Sequence, residues 1–151
     1  MQKCLICERI NLIKKGKNKY FVKELPSGYV VLGDYQYYNG YSLLLSKTHT
    51  NELHKLDPKE RTQFMEDMSL TAEAVYNAFK PNKLNYELLG NTDSHLHWHI
   101  FPRYKNDPQA DRSVWVVPFS VRSANIPNED KINKLKNKLL LEINKLIEAR
   151  G

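Results

Sequence analysis

Three histidines alternate with apolar residues in His95-Leu96-His97-Trp98-His99-Ile100-Phe101. Side chains on an extended strand point to opposite faces in turn, so His95, His97 and His99 are expected to share one surface while Leu96, Trp98 and Ile100 turn into a packed layer. Imidazole serves near neutral pH as nucleophile, acid, base or metal ligand. The chain has five histidines in all, and three fall in this alternation, which weighs against an incidental half-exposed strand.

The second cluster is Cys4-Leu5-Ile6-Cys7, which holds both cysteines of the chain. In a reducing compartment such a pair reads as metal ligands or a redox site before it reads as a structural disulfide. Two thiolates leave a tetrahedral zinc site half filled, so two further ligands, histidines by preference, must come from elsewhere. The alternatives are a CxxC with plain reduced thiols and a thioredoxin-like pair. The latter fits poorly, because no βαβ pattern surrounds the cysteines.

These groups need a scaffold. Tyr20 to Glu24 and Tyr29 to Leu32 read as a hairpin around Pro26-Ser27-Gly28, and Tyr41 to Ser46 as a further strand. Asp57 is a cap, Pro58 suits the first turn and Glu60 completes a capping box, so a helix starts there. Its apolar face is Phe64, Met68, Ala72, Val75 and Phe79, and Pro81 stops it. Leu84 to Leu89 and His95 to Phe101 then pair as antiparallel strands across the turn Gly90 to Ser94. Asn128 caps a last helix reaching about Ala149, with Ile132, Leu135, Leu139, Ile143 and Leu146 as its stripe. The fold class is therefore α+β: an antiparallel sheet with one central helix and a C-terminal helix. A single domain, 1–151, is expected, made of a core, 1–127, and the helix, 128–149.

Composition narrows the function classes. The 41% apolar and 26% charged fractions are those of an ordinary globular protein, and no apolar run is long enough for a membrane span. The N-terminal segment has too short an apolar core for a secretory signal, which leaves a cytoplasmic location as the expectation. The net charge of +6 gathers in Lys14 to Lys19 and Lys131 to Lys145 and favours anionic partners without choosing among them.

HLHWHIF resembles the signature of the histidine triad (HIT) family, and the likeness runs from CLIC through GYSLLLSKTH and NYELLGN to HLHWHIFPRY. The resemblance implies a nucleotide-binding α+β fold, a homodimer, and cleavage at an α-phosphate through a nucleotidyl adduct on His97. A neutral imidazole can attack phosphorus in line when its other nitrogen is fixed by a hydrogen bond, commonly to a backbone carbonyl. His99 would protonate the leaving group or hold a phosphate oxygen. Asp34 resembles the family's ribose ligand, although a turn aspartate is the plain alternative. Asn91 resembles a phosphate ligand and carries the same alternative. Thr92 and Ser94 are phosphate candidates in a loop shorter than the Gly-rich segment of many relatives. Ile6, Ile10 and Leu32 are implied walls for the base, whereas Tyr35, Tyr37, Tyr38 and Trp115 read as filler. In zinc-bearing branches the CxxC joins a histidine after the third strand and the first triad histidine, which maps to Cys4, Cys7, His49 and His95. Such a site is closed and structural. Arg103 reads as a solvated residue that could reach distal phosphates, and His54 as solvated.

The function implied is a hydrolase of dinucleoside polyphosphates or adenosine phosphoramidate-like nucleotides, like the diadenosine tetraphosphate hydrolases. Structural zinc is expected and no organic cofactor. The alternatives are a nucleotidyl transferase or phosphorylase, and a nucleotide or nucleic-acid binding module with little turnover. A row of imidazoles disfavours simple binding, since Arg, Lys and helix N-termini hold phosphate more simply.

Overall fold

The computed structural model describes residues 3–151. Five strands form one antiparallel sheet in the order β1-β2-β3-β5-β4. They are β1 Phe21–Glu24, β2 Gly28–Leu32, β3 Ser42–Ser46, β4 Lys83–Glu87 and β5 His97–Arg103. The helices are α1 Leu5–Lys14, α2 Pro58–Phe79, a single turn α3 Phe119–Arg122, and α4 Glu129–Arg150.

Period-two alternation gives the sheet two different faces. Val30 and Leu32 of β2, Leu44 of β3 and Ile100 of β5 turn toward α2 and α4 and join Phe64, Val75, Leu139 and Ile143 in the main core. On the opposite face Tyr29, Val31 and Leu45 pack under Ile6, Ile10 and Ile13 of α1. The second face also carries a cleft.

Local chemistry accounts for the element ends. The Asp57 carboxylate accepts hydrogen bonds from the Lys59 and Glu60 amides, each at 3.0 Å, and Pro58 occupies the first turn of α2. Glu60 does not return to the cap as a capping box requires; it accepts from the Thr48 hydroxyl instead. Lys80, in left-handed conformation, closes the helix ahead of Pro81. Asn128 caps α4 by accepting from the Lys131 amide at 2.9 Å, and α4 lies against α2, β1 and β2.

Three elements differ from the sequence reading. The segment of the CxxC, to which the sequence reading assigns no element, is helical: Cys4 is the N-cap of α1, whose Ile6, Ile10 and Ile13 recur at helical spacing. His95 stands before the strand, which begins at His97 and continues through Pro102. Proline is tolerated there because β3 pairs with β5 only as far as Ile100. Between β5 and Asn128, where the sequence reading places no element, the apolar Val114–Val116 forms a 3₁₀ turn and α3 follows it.

Candidate active site

Each triad imidazole is held by a different acceptor or donor, and the hydrogen bonds fix the tautomers. His97 Nδ1 lies 2.7 Å from the His95 carbonyl oxygen, which only accepts, so Nδ1 carries the proton and Nε2 keeps its lone pair. His95 Nε2 donates to the Ser46 carbonyl at 2.7 Å, which leaves its Nδ1 free to ligate. The Tyr41 hydroxyl stands 2.6 Å from His99 Nδ1. Burial drives the Tyr41 hydroxyl far above its ordinary range, so it stays protonated and donates. Burial, with His97 as a lesser cause, pushes His99 down to about 3, so its neutral ring carries the proton on Nε2. Burial also lowers His95, against the Ser46 hydrogen bond.

His97 and His99 form part of the floor of a cleft of about 520 Å³, their rings 4.7 Å apart between centroids. A cleft of this size suits a small organic ligand. On one side stand Leu5, Ile6 and Arg9 of α1 with Val31 and Asp34; on another is the loop Leu89 to Asp93; Trp115, Phe119 and Arg122 complete the wall. Gly33 allows this packing, because a Cβ there would overlap the Tyr41 ring.

Asp34, Asn91 and Thr92 line the cleft. Ser94 is exposed and is not among the lining residues. Ile6 lines the cleft, whereas Ile10 is buried between α1 and the sheet and Leu32 faces the α2 side of the sheet, so neither is a wall; Val31 of β2 and Gly33 just after it line the cleft instead. Tyr35 and Trp115 are lining residues, not filler. Tyr38 is buried against Phe101. Arg103 is neither solvated nor in the cleft: it is 3% exposed and bonds to Asn85, Asp107 and the carbonyls of Gln109 and Arg112. It staples the loop that follows β5.

Sequence reasoning missed three polar residues of the cleft. Arg9 meets Asp34 through two parallel hydrogen bonds of 2.5 Å, which steady the carboxylate and still leave it lone pairs for a diol. Tyr41 orients His99. Arg122 reaches the cleft from α3. Arg9 lies one turn past Ile6 on the amphipathic α1, so its helix was readable though its partner was not.

Cys4, Cys7, His49 and His95 come together at the N-terminus of α1, with one ligand atom from each within 4.8 Å of the others. His95 Nδ1 lies 3.5 Å from each sulfur and 3.1 Å from His49 Nδ1, which is 3.3 Å from Cys7 Sγ. A zinc tetrahedron with bonds of about 2.0–2.3 Å has edges of about 3.3–3.8 Å; the donor set matches that ion in number and chemistry, and three of these separations fall within that range. The Ser46 carbonyl supplies the outer partner that orients a ligating histidine.

A sequence model of the HIT domain family matches residues 15–106, more than half of the chain, and the chain belongs to this family. Among solved structures, a histidine triad protein from Bradyrhizobium japonicum is 26% identical, with a TM-score of 0.72 over 82% of this chain and 89% of that one. A zinc-bound histidine triad family protein from Mycobacterium smegmatis covers 97% of both chains at 18% identity and a TM-score of 0.64. The diadenosine triphosphate hydrolase of Plasmodium falciparum, solved with cyclomarin A, is 17% identical, with a TM-score of 0.64 over 84% and 78% of the two chains. The last two likenesses concern the fold alone. Comparison with curated proteins gives no match.

Proposed function

We propose that this chain is a nucleotide hydrolase in which His97 Nε2 attacks the α-phosphate. The observation that carries this reading is the 2.7 Å hydrogen bond from His97 Nδ1 to the His95 carbonyl, on a ring that forms the floor of the cleft. In the first step an N–P bond forms as the bond from phosphorus to the leaving group breaks, and the leaving group takes the electron pair. Water then attacks phosphorus, its proton passes to solvent, and the N–P electrons return to Nε2 with release of a nucleoside monophosphate.

Of the two roles expected of His99, we assign phosphate binding: a ring held neutral by burial and by Tyr41 donates from Nε2 but has no spare proton to give. Asp34 takes the ribose hydroxyls, Asn91 and Thr92 the phosphate, and Ile6 with Val31 the base, for which adenine is the family's implication. Transfer or phosphorolysis shares the first step and differs only in what attacks the adduct; isotopically labelled inorganic phosphate appearing in a nucleoside diphosphate would reveal it.

Cys4, Cys7, His49 and His95 would hold zinc, which when bound cross-links α1 to the approach of β5 and serves no chemical step. The zinc-bound relative supports this assignment. We take the chain to be a homodimer with one cleft per subunit. Exposed Met65 and Tyr76, three turns apart on α2, and Tyr86 on the edge strand β4 offer apolar surface for such a contact. A location in the cytoplasm is part of the same reading.

The test of function is turnover and binding measured together. His97→Asn should retain nucleotide affinity within a few-fold and lose turnover by about 1,000-fold or more. Near wild-type turnover in that variant would remove His97 from the role.

A further inference from the structure

The segment from Val114 to Arg122 follows β5 and lies beyond the stretch that matches the family. It is firmly placed. The Trp115 indole N–H donates to Glu87 on β4 at 2.5 Å, and the Trp115 ring meets His99 edge-on at 5.8 Å between centroids. Phe119 packs edge-on against Tyr35, and the Gln36 backbone N–H donates to the Asn125 carbonyl just downstream.

Arg122 is the cation that this segment brings to the cleft. Its guanidinium lies over the Trp115 ring at 4.9 Å and the Phe119 ring at 5.6 Å, and its Nε donates to the Val117 carbonyl at 3.0 Å. Among the described residues no carboxylate pairs with it, whereas Arg9, the other arginine of the cleft, is matched by Asp34. An arginine stacked on aromatic rings, with its terminal N–H groups unmatched beside a phosphate-cleaving pair of histidines, is a ready anion partner.

We propose that Arg122 is a specificity-determining residue that binds the phosphates of the leaving group, so that this enzyme prefers nucleotides whose leaving group is itself a phosphate chain. The inference rests on the reading of His97 as nucleophile. The substrate's first nucleotide lies between α1 and the histidines, and its leaving group extends past His99 to Trp115 and Arg122. When His97 Nε2 bonds to the α-phosphorus, the bond to the bridging oxygen breaks and that oxygen keeps the electron pair. A polyphosphate departs as a stable anion, so no proton need be delivered, and Arg122 pairs with the charge that the departing oxyanion gains. This matches a His99 that is neutral and already engaged by Tyr41. An amine leaving group needs a proton that neither residue offers.

The experiment compares kcat/KM for diadenosine tetraphosphate and for adenosine phosphoramidate, which share the adenylyl group and differ in what leaves. Wild type, Arg122→Met and Arg122→Lys are measured as full chains. The Met side chain still covers the Trp115 ring, which keeps the packing and hence the fold. Arg122→Met should lower the tetraphosphate-to-phosphoramidate ratio by about 10-fold or more, and Arg122→Lys should restore part of it. An unchanged ratio, or a wild type that cleaves the phosphoramidate more efficiently than the tetraphosphate, overturns the role of Arg122 and leaves His97 standing. Cleavage of neither, with no adenosine monophosphate binding by calorimetry, overturns both.

Discussion

Tyr41 decides which nitrogen of His99 faces the cleft. Because its hydroxyl donates to Nδ1, the proton of the neutral ring sits on Nε2, where a phosphate oxygen can accept it. Tyr41→Phe removes that donor and frees the tautomer, so kcat/KM should fall by about 10-fold while nucleotide affinity changes less; an unaltered rate would show that the tautomer is set elsewhere. Burial gives His99 a pH signature as well. Its folded pKa, about 3, lies below the ordinary histidine value of 6.5, so the folded state resists a proton that the unfolded chain accepts. The stability contributed by the neutral ring is complete above pH 6.5 and declines as pH falls from there toward 3. Denaturant titrations from pH 7 to 4 should therefore show a shallower loss for His99→Asn than for wild type; parallel curves would contradict the depressed pKa. At this scale the alternation pointed to His97 and His99, and the family resemblance to Asp34, Asn91 and Thr92; all five line the cleft. Tyr41 lies 58 residues from His99, and nothing local in the sequence indicates that they meet. Arg103 misled for the same reason: its burial depends on Asn85, Asp107 and carbonyls assembled only by the fold.

Elements hold these residues in place through a few buried links. Asp67, 4% exposed on α2, accepts from the Ser27 amide at 2.8 Å, the Ser27 hydroxyl at 2.5 Å and the Gln63 amide at 2.9 Å, tying α2 to the β1–β2 turn. Asp67→Ala would orphan the buried Ser27 donors and should cost about 2–3 kcal/mol in urea denaturation; a loss under about 0.5 kcal/mol would mean that water replaces the carboxylate. Gln36 braces the loop below Tyr41 in the same manner, donating to the Gly33 and Tyr41 carbonyls and accepting from the Gly40 amide. The Cys/His cluster joins α1 to the approach of β5. Cys4→Ser should reduce zinc to well below one ion per chain in metal analysis and lower the Tm, because metal affinity and folding are coupled. A wild-type protein purified with no zinc would refute the assignment. Most elements were readable, since caps, turns and stripes are local signals, and α2 and α4 begin at the expected Asp57 and Asn128 caps. The α1 helix was overlooked although Ile6, Ile10 and Ile13 mark it, because the CxxC drew the reading toward a metal knuckle. The start of β5 was misplaced because alternation continues past the point where hydrogen-bonded pairing ends: His95 keeps the pattern but orients toward the cysteines.

The whole molecule is a sheet with its main core on one face and the cleft on the other. The large core beneath α2 and α4 fixes β3 and β5, while α1 and the segment around Trp115 wall the cleft on the opposite face. The family's resemblance implied the sheet architecture, whereas both walls, α1 and the segment around Trp115, lie outside the residues 15–106 that match the family. Among the described residues no helix is long and apolar enough to cross a membrane. If two subunits associate through the α2 and β4 surfaces, sedimentation should give twice the chain mass, and Tyr76→Glu should shift the species toward monomer; a monomeric wild type at micromolar concentration would end that proposal. The central claim is covalent chemistry at one imidazole. Acid-labile phosphoramidates survive a neutral or alkaline quench, so mixing enzyme with diadenosine tetraphosphate, quenching within milliseconds and mapping peptides by mass gives the most direct answer. The account predicts an adenylyl group on the peptide bearing His97, absent from His97→Asn; turnover without any adduct, or an adduct on His99, would contradict it.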